Sequence, residues 1–148
     1  MSHKSGKIAA LIEHCHGKAL SPYYLGYFEC FNRELFYEAH DVLEELWLSV
    51  RRGPNDGFYK ALIQFAGAFV HLQKNRLRPA GALFKLSRSY LEPYRPLHEQ
   101  LDISQLLSLI DTYLARLEEG AYLLNPLQEG QGPKLVLSEN PDGAATQD

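Results

Sequence analysis

Residues 35–51 read LFYEAHDVLEELWLSVR and residues 58–74 read FYKALIQFAGAFVHLQK. At about 100° per residue, Leu35, Phe36, Ala39, Val42, Leu43, Leu46, Trp47 and Val50 fall on one broad arc, as in an amphipathic helix facing a core. The second stretch is apolar nearly all round, a pattern suited to a helix buried on more than one side. Between them lies the breaker run Arg52-Gly53-Pro54-Asn55-Asp56-Gly57. It is short enough to make the two helices antiparallel neighbours. This hairpin decides the fold class.

Upstream, Ser21-Pro22 reads as an N-cap followed by proline in the first turn, opening a helix over Tyr23–Asn32. Lys7–Lys18 reads as a shorter helix ended by Gly17. Asn75 suits the left-handed position after the 58–74 helix. Pro79 opens a further helix reaching Leu91, which Pro93 and Pro96 close, and Ile103–Glu119 forms the last one before Gly120. No alternating pattern predicts a sheet. The expectation is an all-α, single-domain bundle of about five helices in antiparallel hairpins over residues 1–125, with a short sixth at the N-terminus. Residues 35–51 and 58–74 should form its centre, with Trp47 largely buried. Residues 126–148 read as a Pro/Gly-rich tail, disordered from about residue 138. Its one apolar cluster, Leu135-Val136-Leu137, is able to dock as an extended segment.

The whole chain has 148 residues and a net charge of −3, with a pI of about 6.1. There is no global basic field of the kind nucleic acid attracts. No apolar run approaches the roughly 18 residues of a membrane span. The basic first residues lack the long apolar stretch of a signal peptide. Cys15 and Cys30 cannot make a disulfide framework and fit a reducing cytoplasm, where we expect the protein to reside. A homo-oligomer is compatible with all of this.

The chemistry concentrates on the hairpin. His40 and Glu44, four residues apart, flank the apolar arc, and Glu38, Asp41 and Glu45 form the next stripe. The apolar helix carries Lys60, Gln64 and His71 on one stripe, with Gly67 between the last two. A mid-helix glycine costs about 1 kcal/mol against alanine and makes sense where a neighbouring helix approaches closely. Counted outward from the turn, Gln64 comes level with Glu44, and His71 with the segment from Tyr37 to Asp41. A polar seam is therefore expected between the helices. It comprises Glu38, His40, Asp41, Glu44, Trp47, Gln64 and His71, and His71 reaches the carboxylates opposite.

At these residues the sequence resembles the bacterial, archaeal and plastid family catalogued as domain of unknown function 309. The resemblance runs over about residues 25–90, through Phe31-Asn32, the EAHDxxE motif Glu38-Ala39-His40-Asp41 with Glu44, then Trp47, Leu62-Ile63-Gln64 and His71. Glu34 stands where the family usually has glycine, and Asn75-Arg76 where it has Gly-Asn. The resemblance implies a small all-helical domain and carries no activity.

Three readings of the seam follow. The plainest is a hydrogen-bonded lock holding helix register, although several buried carboxylates want more donors than Gln64, His71 and Lys60 supply. The sharper one is a site for a divalent metal or small ligand, with His40, Glu44 and His71 as metal ligands. Imidazole and carboxylate at i, i+4 share a helix face, and an open coordination position activates water for hydrolysis. The third is a helical-hairpin module for a protein or nucleic-acid partner, drawing on Lys74, Arg76, Arg78, Lys85 and Arg88, although such a set of charges is more often a solvated surface. His14-Cys15-His16 looks like a metal cluster, yet neighbours on a helix point apart and no partner motif follows. No nucleophile elbow, phosphate-binding glycine loop or Cys-x-x-Cys pair occurs, so no residue is named as catalytic.

Overall fold

Helix α1 spans His3–Leu11 and is followed by a 3-10 turn at Glu13–Cys15. Helices α2 (Pro22–Asn32), α3 (Phe36–Ser49), α4 (Asp56–Gln73), α5 (Leu77–Leu91) and α6 (Ile103–Glu119) follow in the computed structural model, which describes residues 3–138. Consecutive helices from α2 to α6 pack against one another as antiparallel neighbours, and α1 lies on α3. Disorder was expected from about residue 138; residues 139–148 lie outside the described ones.

The local signals act as the sequence predicts at most ends. Ser21 Oγ accepts from the Tyr23 N–H at 3.2 Å, and Pro22 opens α2. Asn75 has φ +56°, where Arg76 N–H reaches the His71 carbonyl at 2.8 Å and Asn75 N–H the Leu72 carbonyl at 3.0 Å. That double bond set is a Schellman ending. Helix α5 starts at Leu77 rather than Pro79. Proline is tolerated in that first turn because its missing N–H has no intrahelical acceptor there.

Helix α4 sits at the centre, as expected. Its Phe69 is fully buried and meets rings from four other helices: Phe31 at 5.3 Å, Phe36 at 5.1 Å, Phe84 at 5.3 Å and Tyr113 at 5.0 Å. Two buried hydroxyls tie its backbone to its neighbours. Tyr27 donates to the Leu62 carbonyl at 2.6 Å, and Ser87 to the Ala61 carbonyl at 2.8 Å.

Three expectations are corrected, and the docking that Leu135-Val136-Leu137 allows is observed. A small antiparallel hairpin, β1 (Leu97–His98) and β2 (Leu101–Asp102), precedes α6. Two-residue strands carry no periodic signal, and the turn residues Glu99 and Gln100 both take positive φ without glycine. Trp47 is only partly buried. It packs against the core from the end of α3, with its indole N–H on a carboxylate. Gly67 makes room for Leu83 of α5, since a Cβ there would lie 3.2 Å from the Leu83 side chain, and not for α3. Finally, the chain beyond Asn125 is held against the bundle. Leu135 N–H donates to Asn32 Oδ1 at 2.7 Å, and Asn32 Nδ2 donates to the Leu135 carbonyl at 2.8 Å. The Asn32 amide thus pairs with the segment as a neighbouring strand would, and Leu135 is buried beside it.

Candidate functional site

The expected seam divides into three parts. Glu38 turns toward α1, where Lys7 Nζ lies 3.7 Å from its carboxylate. The short N-terminal helix, a weak element in the sequence, covers this acidic side of α3. Lys60 turns the other way, donating to the Tyr90 hydroxyl at 3.2 Å and lying 4.8 Å from the centre of its ring. Neither residue joins α3 to α4.

His40, Asp41 and Glu44 form the second part. Each offers one ligand atom, and these atoms lie within 4.8 Å of one another. His40 Nδ1 is 3.1 Å from Asp41 Oδ1, with side-chain exposures of 29% and 15%. These two are sequence neighbours, so adjacency on a helix does not prevent their side chains from meeting. The His40 ring stacks at 6.0 Å on Tyr37, one turn back. The converging set therefore keeps His40 and Glu44 but takes Asp41 as its third member, where the sequence pointed to His71.

His71 and Gln64 make up the third part. Neither forms a side-chain hydrogen bond to α3, and Gln64 Oε1 and His71 Nδ1 are buried without a hydrogen-bond partner among the described residues. The hydrogen-bonded lock, with Gln64 on Glu44 and His71 on the carboxylates, therefore lacks its direct contacts. Both residues instead line a cavity of about 260 Å³ shared with Tyr37 and His40. The remaining lining is apolar, including Ile63, Val70 and Leu83. Burial, together with nearby Arg76 and Lys74, pushes the His71 imidazole below its ordinary pKa. That shift favours the uncharged ring.

Trp47 belongs to a separate lock. Its indole N–H donates to Asp56 Oδ1 at 2.6 Å, while Asp56 Oδ2 accepts from the Arg52 N–H at 2.6 Å. The Arg51 guanidinium lies 5.0 Å from the indole centre. The backbone bond from Arg52 first, and then the indole, hold the Asp56 carboxyl below its ordinary pKa. One side chain thus closes the turn between α3 and α4. Sequence reading missed Asp56 because it placed it in the breaker run, while the helix begins there.

Elsewhere several polar residues are engaged. His14 lies 3.2 Å from Glu29, and Cys15 is buried with its thiol pKa raised, first by burial. Arg88 pairs with Asp111 at 2.8 Å and Arg78 lies over the Tyr122 ring at 4.8 Å, so two of the five basic residues around the α4–α5 junction have local partners. Among the described residues no helix is long and apolar enough to cross a membrane.

The carboxylate-imidazole group on α3 and the Gln64 and His71 turns of α4 lie within one stretch that a family model matches. The model of the family described as "Domain of unknown function (DUF309)" matches residues 24–83. Those residues are a DUF309 domain. The match spans α2, α3, α4 and the start of α5, and so contains the three converging ligand residues and the cavity. No curated protein and no solved structure matches the chain. Glu34 and Asn75, where the resemblance led to an expectation of glycine, have positive φ and sit at Schellman endings. Glycine is the residue such a position favours.

Proposed function

We propose that this DUF309 domain binds one divalent metal ion on α3 through His40, Asp41 and Glu44. The observation that carries the reading is the approach of three ligand atoms to within 4.8 Å of one another. One imidazole with two carboxylates suits zinc and similar first-row ions, and three protein ligands leave a position for water. Such an ion supplies Lewis acidity and a bound water of lowered pKa, the chemistry of hydrolysis. The role of Asp41 has a specific alternative. When His40 Nδ1–H donates to Asp41, Nε2 keeps its lone pair for the ion, and Asp41 orients the ring from behind, an arrangement common around metal-bound histidines.

The test is elemental analysis of untagged protein after zinc loading and dialysis. Native protein should retain one ion per chain, and His40→Ala and Glu44→Ala should lose it. His71→Ala should keep it, which separates this ligand set from one containing His71. In Asp41→Asn, affinity should fall by about 10- to 100-fold if Asp41 orients His40. A native protein that retains no metal overturns the reading.

A further inference from the structure

Among the described residues, two buried side-chain atoms lack a hydrogen-bond partner, Gln64 Oε1 and His71 Nδ1. Other buried polar groups of this bundle are satisfied: the Tyr27 hydroxyl and Ser87 Oγ donate to helix carbonyls, and the Tyr24 hydroxyl to the Glu99 carbonyl. Leaving a buried polar atom unpaired costs about 1–3 kcal/mol. Both residues that carry the unpaired atoms line the same cavity.

That cavity lies between α3, α4 and α5. Tyr37 and His40 stand on one wall and Leu83 on the other, over the Ile63, Gln64, Gly67, Val70 and His71 stripe of α4. The absence of a side chain at Gly67 keeps its floor open; a Cβ there would crowd Leu83. We propose that it binds a small, neutral, single-ring molecule that donates a hydrogen bond, with Gln64 Oε1 as acceptor and His71 Nδ1 as second polar contact. Three features select that class. The volume, about 260 Å³, falls below the roughly 300–1,000 Å³ typical of pockets for larger ligands. The apolar side chains Ile63, Val70 and Leu83 suit a ring. No lysine, arginine, aspartate or glutamate lines the cavity, so a charged ligand would surrender its hydration without a counter-ion. The proposal goes beyond the metal reading and does not rest on it, although His40 touches both sites.

The experiment uses chelator-treated, metal-free protein, so its outcome is independent of whether α3 holds an ion. Phenol, fluorobenzene and benzoate are titrated while side-chain resonances of Gln64 and His71 are followed by NMR. Phenol should shift both, saturating on the order of 1 mM, a strength suited to so small a ligand. Fluorobenzene, which keeps the ring and lacks the donor, should bind roughly three- to tenfold more weakly, the worth of one hydrogen bond. Benzoate should leave the resonances unmoved. Gln64→Met, similar in size but without the amide acceptor, should erase the preference for phenol over fluorobenzene. The comparison of probes on native protein stands even if that variant fails to fold. Equal binding of phenol and fluorobenzene, tighter binding of benzoate, or no binding by phenol overturns the proposal.

Discussion

Asp56 shows how one carboxylate can organise a turn. It receives the Trp47 indole on one oxygen and the Arg52 N–H on the other. Because its folded pKa lies below the ordinary 3.8, its contribution to stability is fully present above about pH 4 and is lost as pH falls through the folded value. Asp56→Asn should therefore lower Tm at pH 6 and shrink the further drop between pH 6 and pH 3, both readable by circular dichroism. His71 is a base with a depressed pKa, so burying it neutral is free of penalty above the ordinary 6.5 and costs stability as pH falls below that. Its imidazole should titrate by NMR with a midpoint under 6.5. A midpoint above that value would mean that a carboxylate of α3 pairs with it after all.

At the scale of elements, the end of α2 combines two roles. Glu34 sits at φ +62°, where the Leu35 N–H reaches the Cys30 carbonyl at 2.9 Å to close a Schellman ending. A residue with a Cβ is strained there, and glycine is not. Yet the Glu34 carboxylate accepts from the Gly130 N–H at 3.0 Å and the Gly132 N–H at 2.8 Å, clasping the segment beyond α6. Glu34→Gly should relax the backbone while releasing that segment. The expected result is faster hydrogen exchange over 130–135 with little change in Tm. Asn32→Ala should also release it, but at a cost of about 1–3 kcal/mol, because it strips partners from the Leu135 backbone. A chain whose exchange at Leu135 is unchanged in both variants would show that the remaining contacts, the Ser138 N–H bond to the Gln100 carbonyl and the burial of Leu135 among them, hold the segment.

For the whole molecule, Phe69 is where the helices meet. Its ring touches α2, α3, α5 and α6 from its place on α4. Phe69→Ala should cost about 3–5 kcal/mol, measured by urea unfolding, since the four surrounding helices cannot collapse together into the space. A loss below about 1 kcal/mol would mean that the core repacks and that α4 is not its organising element.

Much of this fold was legible because helix signals are local. The arc on residues 35–51, the apolar girth of 58–74, the Ser21-Pro22 start and the left-handed Asn75 each depend on a few neighbouring residues, and each stands as read. The same periodicity placed His40 and Glu44 on one helix and Gln64 and His71 on the next, and His40, Gln64 and His71 line one cavity. It did not determine where their side chains turn. Rotation of α4 between α3 and α5 sends Lys60 to Tyr90 and leaves Gln64 and His71 over a cavity, while α1 draws Glu38 away through Lys7. A rotation of one helix by a fraction of a turn changes every such contact without altering the pattern of apolar residues. Docking of 126–138 likewise depends on partners about a hundred residues away, Asn32 and Glu34, which no local pattern connects. Local periodicity determined which segments are helices and which faces are apolar. Only tertiary packing decided which polar groups meet, because that depends on the relative rotation and closeness of elements far apart in the chain.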